Sequence, residues 1–244
     1  MTTKLILIDG APGLGKSTTV ANLQKTLGEL GDVRAVFCHE HDHPLHAFWT
    51  WGDGYDEAEK VEESYSSPRF IERLLARTHA FLNELLAHDQ MAFVETYPFQ
   101  SPVRNILKML GTEEDCAEYL GRFAESVACV SPVLVYFDHP DWPGRILRVA
   151  AERGPRFESL FFEAFYRSPY GRRHGVTTPA GVIAFYQQYL AVCERLLAKW
   201  PHRLVRIDPI AGGQTGTVNR ILHAIGMSGP TAASAPNALR PGKP

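Results

Sequence analysis

The chain alternates short apolar runs with longer stretches in which apolar residues recur at helical spacing. Runs that are apolar almost throughout predict β-strands covered on both faces, as in a parallel sheet. The predicted strands are residues 5–9, 33–37, 91–94, 133–137 and 204–207. Because helical patterns separate them, the sequence predicts an α/β fold with a doubly wound five-stranded parallel sheet.

Residues that favour helix ends mark the helical segments between the strands. The first predicted helix covers residues 17–30. Ser67-Pro68 and Thr178-Pro179 each place a capping residue before a proline at the first helical position. Further helices are predicted at residues 101–110, 141–153, 157–167 and 215–225. Thr112 and Asp115 resemble a capping box, which predicts that another helix begins after Thr112. Residues 39–65 are predicted as a long loop with a short helix, and residues 170–177 as a basic loop.

The order of these segments favours one domain followed by a tail. Every segment from Lys4 to Gly226 is needed to build a single sheet, so we expect residues 1–227 to form one domain. Residues 228–244 are rich in Pro, Ala and Ser without periodicity, and this composition predicts a flexible C-terminal tail.

Charge and cysteine content indicate which binding partners and which cellular compartment to expect for this chain. The chain has 25 Lys and Arg against 27 Asp and Glu, which argues against a general nucleic-acid-binding protein. Its four cysteines are scattered without C-x-x-C spacing, as in cytosolic proteins. The first apolar run is too short for a signal peptide, and no stretch is apolar enough for a membrane span. We therefore expect a cytoplasmic protein without a membrane partner.

One motif is specific in sequence. Residues 10–17, GAPGLGKS, match the pattern G-x-x-x-x-G-K-[S/T] of a phosphate-binding loop (P-loop), with a strand before it and a helix after it. Its backbone N–H groups surround phosphate oxygens, the lysine neutralises the β- and γ-phosphates, and the serine hydroxyl ligates Mg²⁺. The residues predicted to bind the nucleotide here are Gly10, Ala11, Pro12, Gly13, Leu14, Gly15, Lys16, Ser17 and Thr18.

Other P-loop classes lack their further signatures in this chain. No N-K-x-D guanine-reading motif is present, and the D-x-x-G match at residues 141–144 is a weak pattern. Residues 210–214, IAGGQ, resemble the signature loop of ABC ATPases, but only one predicted helix and a tail follow them. The sequence leaves the choice between ATP and GTP open.

From the P-loop and the strand order, the chain resembles the P-loop small-molecule kinases, the superfamily of nucleoside, nucleotide and shikimate kinases. The resemblance covers roughly Lys4 to Gly226, although only the P-loop is sequence-specific. It implies a P-loop NTPase fold of the kinase type, with ATP and Mg²⁺ as cofactors. It also implies a helical lid, here within about residues 141–178.

The resemblance assigns roles to the acidic residues that follow the second and third strands. Glu40 matches the position where deoxynucleoside kinases place the carboxylate that activates the acceptor hydroxyl, with Asp42 as the alternative. Glu95 matches the acidic residue of an Asp-Arg or Glu-Arg pair that holds Mg²⁺ together with Ser17, and Asp138 is the alternative ligand. The usual arginine after the acid is a threonine here, so Arg104 is the candidate to replace it.

The resemblance further implies arginines that stabilise the transferred phosphoryl group from a lid after the fourth strand. Planar guanidinium groups suit this role because they bind phosphate oxygens in pairs. We expect Arg148, which would also contact the nucleotide, and Arg153 to be catalytic, with Arg172 third. A solvated helix face with ordinary salt bridges is the alternative for each. The candidates are Arg145, Arg148, Arg153, Arg156 and Arg172.

The acceptor pocket is predicted beside the second and third strands. Its predicted residues are Glu40, His41, Tyr97, Arg104 and Arg172. Histidines are concentrated between residues 39 and 46, where they suit either hydrogen bonds to a polar acceptor, a structural zinc site or an ordinary polar loop.

The sequence therefore predicts an ATP- and Mg²⁺-dependent phosphotransferase acting on a hydroxyl of a small nucleoside-, sugar- or antibiotic-like metabolite. The alternative is a regulatory NTPase that acts through a protein partner. A homodimer is compatible with the sequence, which leaves the oligomeric state open.

Overall fold

The computed structural model describes residues 3–31, 33–40, 44–45 and 67–227. His41, Asp42 and the rest of the predicted histidine-rich loop beyond Glu40, apart from residues 44–45, lie outside the described residues. The predicted tail at residues 228–244 lies outside them as well.

The sheet has the predicted composition of strands. These are β1 (Leu5–Gly10), β2 (Ala35–Cys38), β3 (Met91–Glu95), β4 (Val133–Phe137) and β5 (Arg203–Ile207). All pair in parallel in the order β2-β3-β1-β4-β5, which confirms the predicted five-stranded α/β fold. β1 and β4 are buried along their whole length, whereas the edge strands β2 and β5 are partly exposed. This difference explains why arginines occur in β5 and apolar residues fill β4.

The helices lie on both faces of the sheet. They are α1 (Lys16–Leu30), α2 (Ser67–Ala87), α3 (Arg104–Lys108), α4 (Glu113–Val127), α5 (Trp142–Arg153), α6 (Pro155–Tyr166), α7 (Pro169–His174), α8 (Pro179–Leu197) and α9 (Gly213–Ala224). α1 packs against α9, while α2 packs against α4 and α4 against α8. This division is expected from the right-handed crossovers that parallel strands favour, because β1 connects toward one edge of the sheet and β2, β3 and β4 connect toward the other. None of the helices in the described part is long and apolar enough to cross a membrane.

Two helices begin at predicted capping residues that make the expected hydrogen bonds. Thr112 Oγ1 accepts a hydrogen bond from the backbone N–H of Asp115, whose Oδ2 accepts one from the N–H of Thr112 at 2.8 Å, which confirms the capping box. Thr178 Oγ1 accepts from the N–H of Gly181 at 3.4 Å and begins α8 as predicted.

Two local predictions need correction. The predicted loop at residues 170–177 contains a helix, α7, because Ser168 caps it through the N–H of Gly171 at 3.1 Å and Pro169 takes the first position. The helix predicted from residue 101 begins instead as a π-helical turn, Phe99–Val103, which includes a proline without an N–H group to donate.

Candidate functional site

The P-loop connects β1 to α1 at the carboxyl edge of the sheet. The connection after β1 leads to β2 at one edge of the sheet, whereas the connection after β3 passes β1 and leads to β4 on its other side. The direction of the connections therefore reverses at β1. Open α/β sheets bind ligands in the crevice that forms at such a reversal. The P-loop, the ends of β2 and β3, and the segment after β3 all meet at this crevice.

Two glycines of the P-loop are required by close neighbours. Gly10 has a φ of 126°, and a Cβ atom there would lie 2.2 Å from the carbonyl oxygen of Phe137 on β4. Gly13 has a φ of 78°, and a Cβ atom there would lie 3.3 Å from Ile146 of α5. The loop is thus enclosed between β4 and α5, and a larger residue at position 10 would displace the backbone.

Lys16 and the start of α1 provide a cationic site inside the loop. The N-cap residue is Gly15, with no side-chain cap and no acidic residue in the first turn, so the N–H groups there suit an anion. The Lys16 side chain is buried, and Nζ donates to the carbonyl oxygens of Gly10 at 3.2 Å and Ala11 at 2.8 Å. The ammonium group therefore lies where phosphate oxygens would enter the loop.

Carboxylates gather around this ammonium group. Burial lowers the pKa of Lys16, while the negative charges of Asp9, Glu40 and Glu95 act to raise it. The positive charge of Arg104 lowers it further. The structure thus brings the two acids predicted from the sequence, Glu40 and Glu95, to the same crevice as Lys16.

Asp9 is a candidate residue that the sequence prediction missed. It ends β1, is fully buried, and accepts hydrogen bonds from the backbone N–H groups of Gly10 at 2.7 Å, Gln100 at 3.1 Å, and Phe99. Burial raises the pKa of Asp9, and the charge of Lys16 and these N–H donors lower it. Its carboxylate therefore joins the P-loop to the segment after β3. An acid at the end of an otherwise apolar strand, directly before the P-loop, was the signal available in the sequence.

Ser17 and Glu95, the predicted Mg²⁺ ligands, are in contact. Ser17 Oγ donates a hydrogen bond to Glu95 Oε1. Glu95 Oε2 is buried without a hydrogen-bond partner, and His39 Nδ1 lies 3.7 Å from it. Burial raises the pKa of Glu95, and the hydrogen bond from Ser17 lowers it. Mg²⁺ takes oxygen ligands and keeps several waters, so one hydroxyl and one carboxylate beside a phosphate site fit this ion.

Asp138, the alternative metal ligand, is engaged elsewhere. Its side chain is about half exposed and lies 3.2 Å from the guanidinium group of Arg206 on β5. Arg206 also pairs with Glu194 of α8 at 2.6 Å. Because Arg206 already balances the charge of Asp138, the geometry favours Glu95 as the carboxylate beside Ser17.

Polar groups of the predicted acceptor pocket lie beside Glu40. The side-chain amide Nε2 of Gln100 donates to Glu40 Oε1 at 3.5 Å. One helical turn further along, Arg104 Nη1 donates to the hydroxyl of Tyr186 on α8, also at 3.5 Å. Glu40 is thus placed among groups that can hold a polar molecule near Lys16.

Tyr97, predicted to face the acceptor, lies instead in the core. Its side chain is fully buried, and its hydroxyl is 3.4 Å from Thr78 Oγ1 of α2. Burial raises the pKa of Tyr97 to about 12. The ring packs edge-on against Phe123 of α4 because the chain turns inward after β3, a feature that strand periodicity does not show.

Helix α5, which begins the predicted lid, rests directly on the P-loop. The side chain of Trp142 is buried, and its Nε1 donates to the carbonyl oxygen of Pro12 at 2.8 Å. Ile146, one turn later, lies next to Gly13. The position of the P-loop backbone therefore depends on this helix as well as on β1 and α1.

The arginines ranked first from the sequence make local contacts in the described structure. Arg148 is exposed and pairs with Asp141 at 3.0 Å. The guanidinium group of Arg153 lies 4.7 Å from the ring centre of Phe157, a cation–π contact within the lid. Arg172 donates to a backbone carbonyl five residues earlier. These contacts are with neighbouring residues of the lid and do not involve the P-loop.

Arg145 is better placed than the other lid arginines. It follows Trp142 by three residues and precedes Val149 by four, so the three share the face of α5 that meets the P-loop. Its Nε is buried and has no hydrogen-bond partner among the described residues. A buried guanidinium donor without a partner, one turn from the P-loop contact, makes Arg145 the lid arginine that the geometry favours.

The Trp142 contact predicts an effect on stability and nucleotide affinity. In Trp142→Phe the aromatic ring remains, but the buried carbonyl oxygen of Pro12 loses its donor. We expect the free energy of unfolding, measured by urea denaturation, to fall by about 1–3 kcal/mol. We also expect weaker ADP binding in a fluorescence titration, because the P-loop loses one of its supports.

Trp200 provides a matched control for this substitution. Its Nε1 is also buried but has no hydrogen-bond partner, and its ring stacks on Phe123. Trp200→Phe therefore removes an N–H group without breaking a hydrogen bond, and it should leave ADP affinity unchanged. Equal losses of stability in the two variants would contradict a supporting role for the bond to Pro12.

Comparison with known proteins gives similarity to solved structures alone. No protein-family model matches the chain, and no curated protein matches it in sequence. The crystal structure of the YorR protein from Bacillus subtilis, in complex with phosphorylated GDP, is similar at 14% identity and a TM-score of 0.48. The similarity covers 91% of this chain and 95% of YorR. A similarity of this degree assigns no ligand or activity to the chain.

Proposed function

We propose that this chain is an ATP- and Mg²⁺-dependent phosphotransferase that transfers the γ-phosphoryl group to a hydroxyl of a small polar molecule. The observation that carries the proposal is the arrangement around Lys16. Ser17 contacts Glu95, Gln100 donates to Glu40, and the charges of both carboxylates act on Lys16. ATP is proposed as the phosphoryl donor because the resemblance to the P-loop small-molecule kinases implies it.

In this proposal each group has a separate task in the transfer. Lys16 and the N–H groups at the start of α1 bind the β- and γ-phosphates and stabilise the charge that develops on them. Ser17 and Glu95 hold Mg²⁺, which supplies further neutralisation of phosphate charge when bound. Arg145 of the lid is the candidate to contact the transferred group.

Glu40 orients the acceptor and takes up its proton. The acceptor oxygen forms a bond to the γ-phosphorus while the bond between that phosphorus and the β,γ-bridging oxygen breaks. The hydroxyl proton passes to the Glu40 carboxylate, and ADP leaves with the pair of electrons from the broken bond. Gln100, which donates to Glu40 Oε1, keeps the carboxylate turned toward the acceptor side.

The test is acceptor-dependent ADP release, screened against nucleosides, sugars, hydroxy acids and antibiotics. Glu40→Gln keeps the size of the side chain but removes the base, so we expect the acceptor-dependent kcat to fall by about 10²-fold or more. ADP affinity should change little, since Glu40 lies on the acceptor side. Glu114→Gln, which alters an exposed carboxylate of α4, is the control and should retain full activity.

Two results would count against the proposal. Full acceptor-dependent activity in Glu40→Gln would remove Glu40 from the mechanism. ATP hydrolysis that no small acceptor stimulates, together with capture of a protein partner that depends on the nucleotide, would instead indicate a regulatory NTPase.

A further inference from the structure

Two polar side chains in the acceptor region have buried atoms without partners. Gln100 is only 4% exposed, and its Oε1 accepts no hydrogen bond from the described residues, although Nε2 reaches Glu40. Arg104 follows four residues later, so both side chains project from the same side of the helical segment. The Nε of Arg104 is buried and also has no hydrogen-bond partner in the part of the chain that the structure describes. Buried polar groups are normally satisfied, so these two atoms indicate a missing polar ligand.

The charge of Arg104 is not balanced by a contacting carboxylate. Within the described residues Arg104 forms no ion pair at 4.0 Å or less, and its hydrogen bond to Tyr186 has the long distance of 3.5 Å. Other arginines, such as Arg122 with Glu72 at 2.6 Å, have a carboxylate partner on the surface. A guanidinium group enclosed by protein is favourable only when an anion or several acceptors reach it. The ligand that completes this site should therefore carry negative charge.

We propose that the acceptor is an anionic hydroxy compound whose carboxylate or phosphate group binds Arg104. This inference depends on the proposed function and names the class of its acceptor. Nε and one Nη of a guanidinium group can hold two oxygens of such a group side by side. A donor on the same molecule bonds to Gln100 Oε1, and the reacting hydroxyl points to Glu40. Along one acceptor molecule, Glu40 thus contacts the hydroxyl, Gln100 contacts a hydrogen-bond donor and Arg104 contacts the anionic group.

The anion of the acceptor is distinct from the phosphates of the nucleotide in this arrangement. Nucleotide phosphates have Lys16 and the start of α1, whereas Arg104 bonds to Tyr186 of α8 on the acceptor side. Repulsion between Arg104 and Lys16 decreases when each of them has its own anion. We therefore expect nucleotide and anionic acceptor to favour each other's binding.

The experiment is a binding measurement with the P-loop already filled. The full chain is saturated with ADP and Mg²⁺ and titrated by calorimetry with matched pairs of neutral and anionic compounds at constant ionic strength. The pairs are glycerol with glycerate, glucose with gluconate, and glucose with glucose 6-phosphate. We expect at least one anionic member to bind more tightly than its neutral partner. Comparison of gluconate with glucose 6-phosphate distinguishes a carboxylate from a phosphate ligand.

Arg104→Met should weaken binding of that anionic member by about 10- to 100-fold, the effect of removing charge-assisted hydrogen bonds, with ADP affinity unchanged. Arg122→Met, which removes a surface guanidinium group, should leave the preference intact. Arg104→Lys should restore part of the affinity, since it returns the charge without the paired donors. Tyr186→Phe keeps the guanidinium group and should keep the anion preference, which provides a test if Arg104→Met fails to fold.

Three results would overturn the inference. The first is a panel in which no anionic compound binds more tightly than its neutral partner. The second is an anion preference that survives in Arg104→Met. The third is an Arg104→Met variant that loses ADP affinity and keeps its affinity for acceptors, which would place Arg104 on the nucleotide. In each case the proposed function would still hold if a neutral acceptor stimulated ADP release. Absence of ADP binding by the wild-type chain, in contrast, would contradict the proposed function itself.

Discussion

Lys16→Met should lower acceptor-dependent kcat/KM by about 10²–10³-fold, the effect of removing one preorganised group that stabilises transition-state charge. The structure places Lys16 Nζ inside the P-loop, bonded to the carbonyl oxygens of Gly10 and Ala11. No other lysine of the described residues is buried, so no neighbour can take over the charge. The measurement is steady-state ADP release with saturating acceptor, combined with an ADP titration.

The same substitution should change the pH dependence of stability. The charge of Lys16 lowers the pKa of both Asp9 and Glu95, so its removal raises these pKa values in the folded protein. A carboxyl group with a raised folded pKa stabilises the protein below its unfolded pKa of about 4, and this contribution is lost as the pH rises through the folded pKa. Lys16→Met should therefore lose stability relative to the wild type as the pH is raised above about 4.

Lys25→Met is the matched control for Lys16→Met. Lys25 lies on the same helix, α1, and its side chain is exposed. We expect full activity and an unchanged pH profile. A Lys16→Met variant that retains wild-type kcat/KM would refute the role of the P-loop lysine, and one whose stability follows pH like the wild type would refute its coupling to the carboxylates.

Asp9→Ala should have the largest effect on stability, a loss of about 3–5 kcal/mol in the free energy of unfolding, because it removes the carboxylate whose charge acts most strongly on the buried Lys16. It also removes the acceptor for the N–H groups of Gly10, Phe99 and Gln100. Asp9→Asn keeps one carbonyl oxygen as an acceptor and should lose less, about 1–3 kcal/mol. Urea denaturation measures both losses.

Stability and KM, measured together, distinguish two roles of Asp9: holding the segment after β3 against the P-loop, and only stabilising the fold. Thr112→Ala removes a helix cap far from the crevice and should cost about 1 kcal/mol without any change in KM. Asp9→Asn, in contrast, should raise KM for the acceptor, because Gln100 is no longer held against the P-loop. An Asp9→Asn variant with unchanged KM for both substrates would show that the carboxylate only stabilises the fold.

The sequence predicted those features that depend on neighbours in the chain. All five strands appear in order, because each was predicted from a short run rich in apolar residues, although the edge strands β2 and β5 are partly exposed. The capping box at Thr112 follows from residues three positions apart, which the helix brings together whatever surrounds it. The missed helix α7 had the same kind of signal, a serine before a proline, but its glycine and two arginines favoured a loop.

The sequence predicted some residues of the candidate site and missed or misplaced others. Ser17 was identified from the P-loop motif and Glu95 from the family resemblance, and the structure then brought them into contact. Arg148 and Arg153 were preferred to Arg145 because spacing along a helix does not show which face meets the P-loop. Tyr97 was assigned to the pocket because it follows β3, although the chain turns its side chain into the core.

The sequence by itself determined the strand and helix pattern and the P-loop, because these depend on residues a few positions apart. Only the tertiary structure decided which distant groups face each other, since that depends on the strand order and on the packing of α5 and α8. Ser17 meets Glu95 across 78 residues, Trp142 reaches Pro12 across 130, and Arg104 reaches Tyr186 across 82. Within the described residues no carboxylate contacts the buried Arg104, and this absence, from which the charge of the acceptor is inferred, becomes visible only in the tertiary structure.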